Sequence, residues 1–494
     1  MFRQPLLLVA LAVTSLIAAA GLIDPEAMGR WAGRISTEQF TSRGWFIMLL
    51  VSTLLLTSIG LALSPFGRIR LGADDDRPEF GTVSWLAMLF ATGMGVGLLY
   101  YGAAEPITHF HLFRQYGSDA EAASAALMAT YFDWGLHAWA IYATVALVMA
   151  YFTFRRGGAM ILSAPVEGVF GRTGWPRYVG FVIDLLTIIA IAIGLAGTLA
   201  MGVFQVQAGV ARVLGLGDAS FLTVPVFLLL CIASLIPLTF DVPRGMSIMS
   251  NVAMAICGGL LVWLILAGRT HYVMNALVEG FGRYIASAVP MGFTAFTFVD
   301  EALTDWFQTW PLNYMIWWLA WAPFVSVFIA RISRGRTIRE FLLGVVAVPG
   351  AFSVIWFGTF GALGFSEILS GNDRLLATTL DDFDSVTFVM LESLPFGIFT
   401  SAAVVVACFI FVVTSVVTAA FTLAIFSARG NVDPPTSMKL IWGVILAVLG
   451  FVMVLSGDVG VVRSIIAVFA IAFLFIVPLL LVCLGKSLAA ERVR

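Results

Sequence analysis

Two short stretches, Trp134-Gly-Leu-His-Ala-Trp139-Ala-Ile-Tyr142 and Trp310-Pro-Leu-Asn-Tyr314-Met-Ile-Trp317-Trp318-Leu-Ala-Trp321, gather indole and phenol rings inside long apolar runs. At about 100° per residue, positions 310, 314, 317, 318 and 321 fall within an arc of about 100°, and 134, 139 and 142 within about 140°. Each set can therefore face one cavity. The faces of Trp and Tyr rings carry negative quadrupole density and hold a cation without the desolvation cost of a buried carboxylate. The chemistry implied is an aromatic box for a quaternary ammonium group. The competing reading is that such rings anchor helices at the membrane interface; two clusters with inward-facing rings favour the box.

Other groups carry a weaker signal. Ala91-Thr-Gly93-Met94-Gly95-Val-Gly97-Leu sets three glycines at every second position within one apolar run. Glycine disfavours an unbroken helix by up to about 1 kcal/mol each relative to Ala. The expectation is an unwound segment whose carbonyls face a cavity, where they suit a sodium ion; close helix packing through small residues is the alternative. Asp133 is a carboxylate inside an apolar run and is functional by default. It carries a proton or pairs with His137, one turn on, unless it sits at a hydrated outer helix end. Among the histidines, His109, His111 and His137 offer only one close pair, which argues against a membrane-embedded metalloenzyme. Cys231, Cys257, Cys408 and Cys483 stand singly in apolar runs and read as small core residues.

The elements that must position these groups follow from composition. With 60% hydrophobic and 11% charged residues, the 494-residue chain belongs in a bilayer. Its apolar runs exceed the roughly 20 residues that cross the hydrocarbon as helix, and no alternating barrel pattern occurs. Twelve spans are expected at about 4 to 23, 43 to 64, 82 to 104, 124 to 154, 178 to 211, 220 to 239, 248 to 268, 308 to 331, 338 to 363, 396 to 427, 438 to 457 and 461 to 485. With both termini cytoplasmic, the outer loops keep Arg30, Arg34, Arg43, Arg114, Arg212, Arg269, Arg283, Arg374 and Arg463. The other 18 of the 27 basic residues, among them Arg3, Arg244, Arg492 and Arg494, lie inside, as the positive-inside rule requires of an inner or plasma membrane. The first span also resembles a signal peptide, with Ala18-Ala19-Ala20 as a cleavage site. A net charge of -2 gives no reason to expect a nucleic-acid partner.

Pro323 in the eighth span is expected to supply a second interruption, matching the glycines of the third. Three regions follow: 1–81 with two leading helices, 82–290 as a first repeat ending in an amphipathic helix at 276 to 290, and 291–494 as a second, inverted repeat.

Several motifs together resemble the betaine/carnitine/choline transporter family. They are Phe66-Gly-Arg68-Ile-Arg70-Leu-Gly, Arg77-Pro78-Glu79-Phe80, Ser84-Trp85, Gly93-Met94-Gly95-Val-Gly97-Leu, Glu105-Pro106, Trp317-Trp318-Leu-Ala-Trp321-Ala-Pro323, Ala330-Arg331-Ile-Ser333-Arg334-Gly335-Arg336-Thr-Ile-Arg339-Glu340-Phe, and Gly430-Asn431-Val-Asp433-Pro434-Pro435. The resemblance implies an all-α, twelve-helix secondary carrier with a leucine-transporter-like core of inverted five-helix repeats, and no catalytic residues. Its substrate would be an onium compound: glycine betaine first, with choline, carnitine or dimethylsulfoniopropionate behind. Trp134, Trp139, Tyr142 and Trp318 would form the central box, and Trp317 and Trp321 would line the route. Sodium, the coupling ion, would take the carbonyls of Ala91, Met94 and Phe411 and the hydroxyls of Thr414 and Ser415. Thr187 and Thr198 are candidates for another sodium site. Gly97 favours sodium, because some proton-coupled choline carriers of the family have aspartate there. Proton symport and sodium-independent exchange are the alternatives within the family; a passive channel would share the rings but need no sodium ligands. No other cofactor is expected.

The chain departs from the family pattern at Val416-Val417-Thr418, at Asn313 and Met315, which predict an altered, more polar cavity, and at Asp133, where a histidine is usual. Asp184 is family-like and reads as structural. A chain that stops about eight residues past its last span predicts no tail-based osmotic activation, and family trimers imply a homotrimer.

Overall fold

A computed structural model describes residues 5–93, 95–217, 219–240, 243–457 and 459–491, without the side chains of 90–93, 240 and 243–245. Met94, Arg3, Arg492 and Arg494, and the side chains of Ala91 and Arg244, lie outside the described residues.

Among the described residues the regular structure is helical apart from one isolated bridge, and the helices that matter to the site run in this order. A leading pair, α1 (Pro5–Ile23) and α2 (Pro25–Leu63), precedes α3 (Thr82–Gly93), α4 (Val96–Tyr101) and α5 (Ala104–Phe113). Next come α6 (Asp119–Trp134), α7 (Leu136–Ala150), α8 (Trp175–Leu214), α9 (Thr223–Phe240), α10 (Pro243–Ala267) and α11 (Thr270–Gly292). The rest are α12 (Asn313–Ile332), α13 (Val348–Leu369), α14 (Gly397–Ser427), α15 (Thr436–Leu455), α16 (Val459–Ala470) and α17 (Phe473–Ala489).

Among the described residues, 10 helices are long and apolar enough to cross a membrane, or 11 if α16 and α17, bent by 44°, make one span. This falls short of twelve because the expected third span is divided. Helix α3 stops at Gly93 and α4 starts at Val96, with Gly95 extended at φ -130°, so the glycine run does interrupt the helix. Neither piece crosses alone.

The expected counterpart in the eighth span is corrected. Helix α12 runs unbroken through Pro323, and the irregularity sits before it, in a widened turn at Gln308–Leu312 around Pro311. A membrane helix absorbs one missing N–H when its neighbours pack closely, as α7 and α8 do here. The break that does matter was not anticipated: Gly135, at φ -96° and ψ -133°, separates α6 from α7.

Small residues let the long helices approach. Gly202 and Gly209 of α8 lie under Val412 and Phe388, and Gly450 of α15 lies under Leu199. Helix α1 is packed against α8 and α15 with Leu6, Leu7, Ala10 and Thr14 buried, as an integral part of the bundle. Helix α11 contains the expected amphipathic region; it buries Val273, Gly280, Tyr284 and Ala288 and exposes Met274, Val278, Phe281 and Ile285.

Two of the motif segments meet at one end of the bundle. Arg70 and Thr337 form an antiparallel bridge, with Leu71 N–H donating to the Arg336 carbonyl at 2.8 Å and Ile338 N–H to that of Ile69 at 2.9 Å. Arg336 lies 3.9 Å over the Trp85 ring, and Arg339 donates to the Ala62 carbonyl at 2.6 Å. Nearby, Arg155 bonds Glu491 at 2.8 Å and Asp74 at 2.9 Å.

Candidate substrate site

The site is assembled at two helix breaks. At the first, Gly135 has no room for a Cβ, which would overlap the Tyr284 hydroxyl and the Tyr131 carbonyl. The backbone N–H of Leu136, unpaired at the start of α7, donates to that hydroxyl at 2.7 Å. At the end of α6 the Asp133 carbonyl, similarly left over, accepts the Trp318 indole N–H at 2.7 Å. The break thus ties α12 to α6. At the second, Gly97 of α4 lies against the edge of the Trp134 ring; an added Cβ would stand 2.9 Å from it.

Between these breaks lies a cavity of about 200 Å³, well above the roughly 10–15 Å³ that on the same measure holds one water molecule. Trp134, Tyr142, Trp317, Trp318 and Trp321 line it together with Gly97, Phe411, Thr414 and Ser415, and Thr198 joins them from α8. Five of the six expected substrate residues and the described side of the expected sodium set therefore share one space. Trp318 is held edge-on to both Trp134, at 5.2 Å between centroids, and Tyr142, at 5.4 Å. Among the described residues the lining carries no charged side chain. Three of its polar atoms, Tyr142 Oη, Trp317 Nε1 and Trp321 Nε1, are buried without a protein hydrogen-bond partner. The Thr414 hydroxyl donates back to the Ile410 carbonyl at 2.9 Å, which leaves its lone pairs free.

Some expected residues stand elsewhere. Trp139 is behind the wall, edge-on to Tyr142 at 5.6 Å, and Thr187 is buried outside the lining. Asn313 and Met315 are buried and do not reach the cavity, so they do not make it more polar.

Asp133 is neither at a hydrated helix end nor beside His137. It is fully buried and faces α5, its Oδ2 lying 4.0 Å from His109 Nε2, with Glu105 Oε1 3.7 Å from the same nitrogen. The break at Gly135 puts His137 on a separate helix, where its ring packs on Phe132. Glu105 accepts the Trp134 indole N–H at 2.9 Å and the Tyr314 hydroxyl on one oxygen.

Arg463 is corrected more sharply. It is not in an outer loop; α16 buries it, and its guanidinium lies 4.7, 4.5 and 5.6 Å from the rings of Tyr101, Trp310 and Tyr314. Its Nε donates to the Tyr101 hydroxyl at 3.0 Å. A buried cation needs such partners. The rings of Trp310 and Tyr314 therefore cage a protein cation instead of lining the cavity. Arg463 and Glu105 were missed as working residues, although Glu105 carried the usual signal of a carboxylate in an apolar run.

A profile of betaine/carnitine/choline family transporters matches residues 5–493. The glycine betaine transporter OpuD of Bacillus subtilis is 34% identical over 98% of this chain and 94% of its own. This chain belongs to the betaine/carnitine/choline transporter family. It is a multi-pass membrane transporter and not an enzyme. The osmo-independent choline transporter BetT1 of Acinetobacter baylyi is 33% identical over 91% of this chain and 86% of its own. Among solved structures, a Na+-coupled sialic acid symporter is similar at 15% identity and a TM-score of 0.46, over 83% of this chain and 81% of that one. Family membership also gives the bridged motif segments a common reading, since two of the motifs that carry the family resemblance, around Arg70 and Thr337, pair with each other. Asp184 is structural as expected, accepting from the Ser163 backbone at 3.0 Å and its hydroxyl at 2.7 Å.

Proposed function

We propose that this protein imports a trimethylammonium or related onium osmolyte, glycine betaine first, by sodium symport and alternating access. One observation carries the reading: an uncharged cavity walled by Trp134, Tyr142, Trp317, Trp318 and Trp321, with unpartnered N–H and O–H groups among the same rings. The ring faces suit a methylated onium head. Tyr142 Oη, Trp317 Nε1 and Trp321 Nε1 suit the carboxylate of a zwitterion, which favours betaine and carnitine over choline. The names of the two relatives, a glycine betaine and a choline transporter, support the same substrate class.

Sodium is the preferred coupling ion because Phe411, Thr414 and Ser415 border the substrate cavity. Ala91 and Met94 would complete the set. The two breaks are proposed to belong to a twelve-span carrier with inverted five-helix repeats at 82–290 and 291–494, both termini cytoplasmic, in the inner or plasma membrane. The exposed apolar ridge of α11 would join protomers of a homotrimer. Purified protein in liposomes should concentrate labelled glycine betaine when a sodium gradient is imposed. Uptake indifferent to sodium would overturn the coupling, and no binding of any onium compound, read by tryptophan fluorescence, would overturn the substrate class.

A further inference from the structure

We infer that Asp133 and Glu105 form a proton-binding site that an arriving onium cation discharges. The inference rests on the onium reading of the cavity and adds to it a second, ionic event one ring away.

The argument begins with hydrogen-bond inventory. Trp306 Nε1 can only donate, and it lies 3.0 Å from His109 Nδ1. His109 Nδ1 is therefore an acceptor, and the ring's single proton is on Nε2, directed toward Glu105 Oε1 and Asp133 Oδ2. In that tautomer the imidazole is neutral. It offers no lone pair to a metal ion from Nε2 and cannot balance a carboxylate.

The remaining charges can then be counted. Facing Asp133 are Glu105 and His109 from α5, Tyr284 from α11 and, further off, Arg463 from α16, which Tyr101 of α4 and Tyr314 of α12 flank. Among the described residues Arg463 is the one cation beside Glu105 and Asp133, and its ring cluster also meets a further carboxylate, Asp384, through Tyr100; Glu105 takes the two donors, Trp134 and Tyr314, on Oε2. Glu105 Oε1, Asp133 Oδ1 and Asp133 Oδ2 are buried without partners, and acceptor atoms of the two carboxylates approach within 4.8 Å. A second bare carboxylate there would be uncompensated. One proton, held on Asp133, removes the uncompensated charge.

The link to substrate is structural. Trp134 lines the cavity with its ring and bonds Glu105 with its N–H, while Trp318 lines the cavity and bonds the Asp133 carbonyl. An onium cation between those rings supplies the missing positive charge. The Asp133 O–H bond then breaks, its electron pair stays on the carboxylate and the proton passes to solvent. Binding is thus an exchange of one cation for one proton, and choline affinity falls on acidification.

The full chain in detergent, in weak buffer with a pH dye, should release one proton per choline bound, and the apparent Kd should rise by about tenfold per pH unit on the acid side of the titration. Choline binding by Asp133→Asn, at whatever affinity, should release none; Asp133→Glu should restore release. Infrared difference spectra of the wild type need no variant: the protonated-carboxyl band should be lost on choline addition. Choline binding without proton release, release that persists in Asp133→Asn, or an unchanged carboxyl band would each overturn the inference and leave the onium site standing. No choline binding at any pH would overturn the inference, and no binding of glycine betaine either would overturn the onium site as well.

Discussion

Trp134 answers to three neighbours at once: the bare backbone of Gly97 beneath it, Glu105 on its N–H and the cavity at its face. Gly97→Ala puts a methyl where the ring edge lies, so it should tilt Trp134 and weaken glycine betaine binding by about tenfold, in line with an overpacking cost of about 1 to 3 kcal/mol. Tryptophan fluorescence titration measures it. Trp318→Leu removes a ring worth about 2 kcal/mol to a desolvated cation and should cost about thirtyfold or more in affinity while the protein still elutes as the wild type does. Near-normal affinity would refute the box. Trp317, Trp318 and Trp321 were legible because one unbroken helix carries them and helical arithmetic holds along it. That Trp139 stands behind Tyr142 and that Asp133 and His137 part company was not legible, because Gly135 resets the helical phase after Trp134.

At the level of elements, the Gly135 break is specified by its surroundings and not by glycine's flexibility alone. Tyr131 and Tyr284 occupy the space a side chain would need, and Leu136 needs the Tyr284 hydroxyl. Gly135→Ala should therefore destabilise the protein by about 1 to 3 kcal/mol, seen as a lowered melting temperature in detergent, because one of the clashing atoms is a backbone carbonyl that cannot turn away. Tyr284→Phe should lower it by less, about 1 kcal/mol, for the one hydrogen bond lost. The glycine run of the third span declared its break in the sequence by repetition. A single glycine gives no such signal, since in an isolated segment it is compatible with continued helix. Pro323 misled for the converse reason: its ring forbids one hydrogen bond but does not dictate a break where neighbouring helices hold the chain.

Across the whole molecule, apolar length revealed the spans and the loop charges suggested their orientation, but neither revealed that Arg463 is drawn inward. That depends on rings contributed by α4, the turn at Pro311 and α12, which only packing brings together. At the end of the bundle that holds Arg331, Arg155 and its hydrogen bond hold the Glu491 carboxylate below its ordinary value of 4.5. A depressed carboxylate stabilises the fold above its unfolded value, and that stabilisation is lost as pH falls through the folded one. Glu491→Gln should lower the melting temperature by about 1 to 2 °C at neutral pH, and the difference should vanish in acid. The two ends of α12 are thus closed by different physics. Near Arg331 and Arg155 the ties are ion pairs that reach water through exposed Asp74, so dissolved ions can screen them. Around Trp310 the Arg463 guanidinium is buried against ring faces and the Tyr101 hydroxyl, where dissolved ions screen it less. Rising ionic strength should therefore weaken the first set of ties more than the second, so added salt should shrink the melting-temperature difference between the wild type and Glu491→Gln.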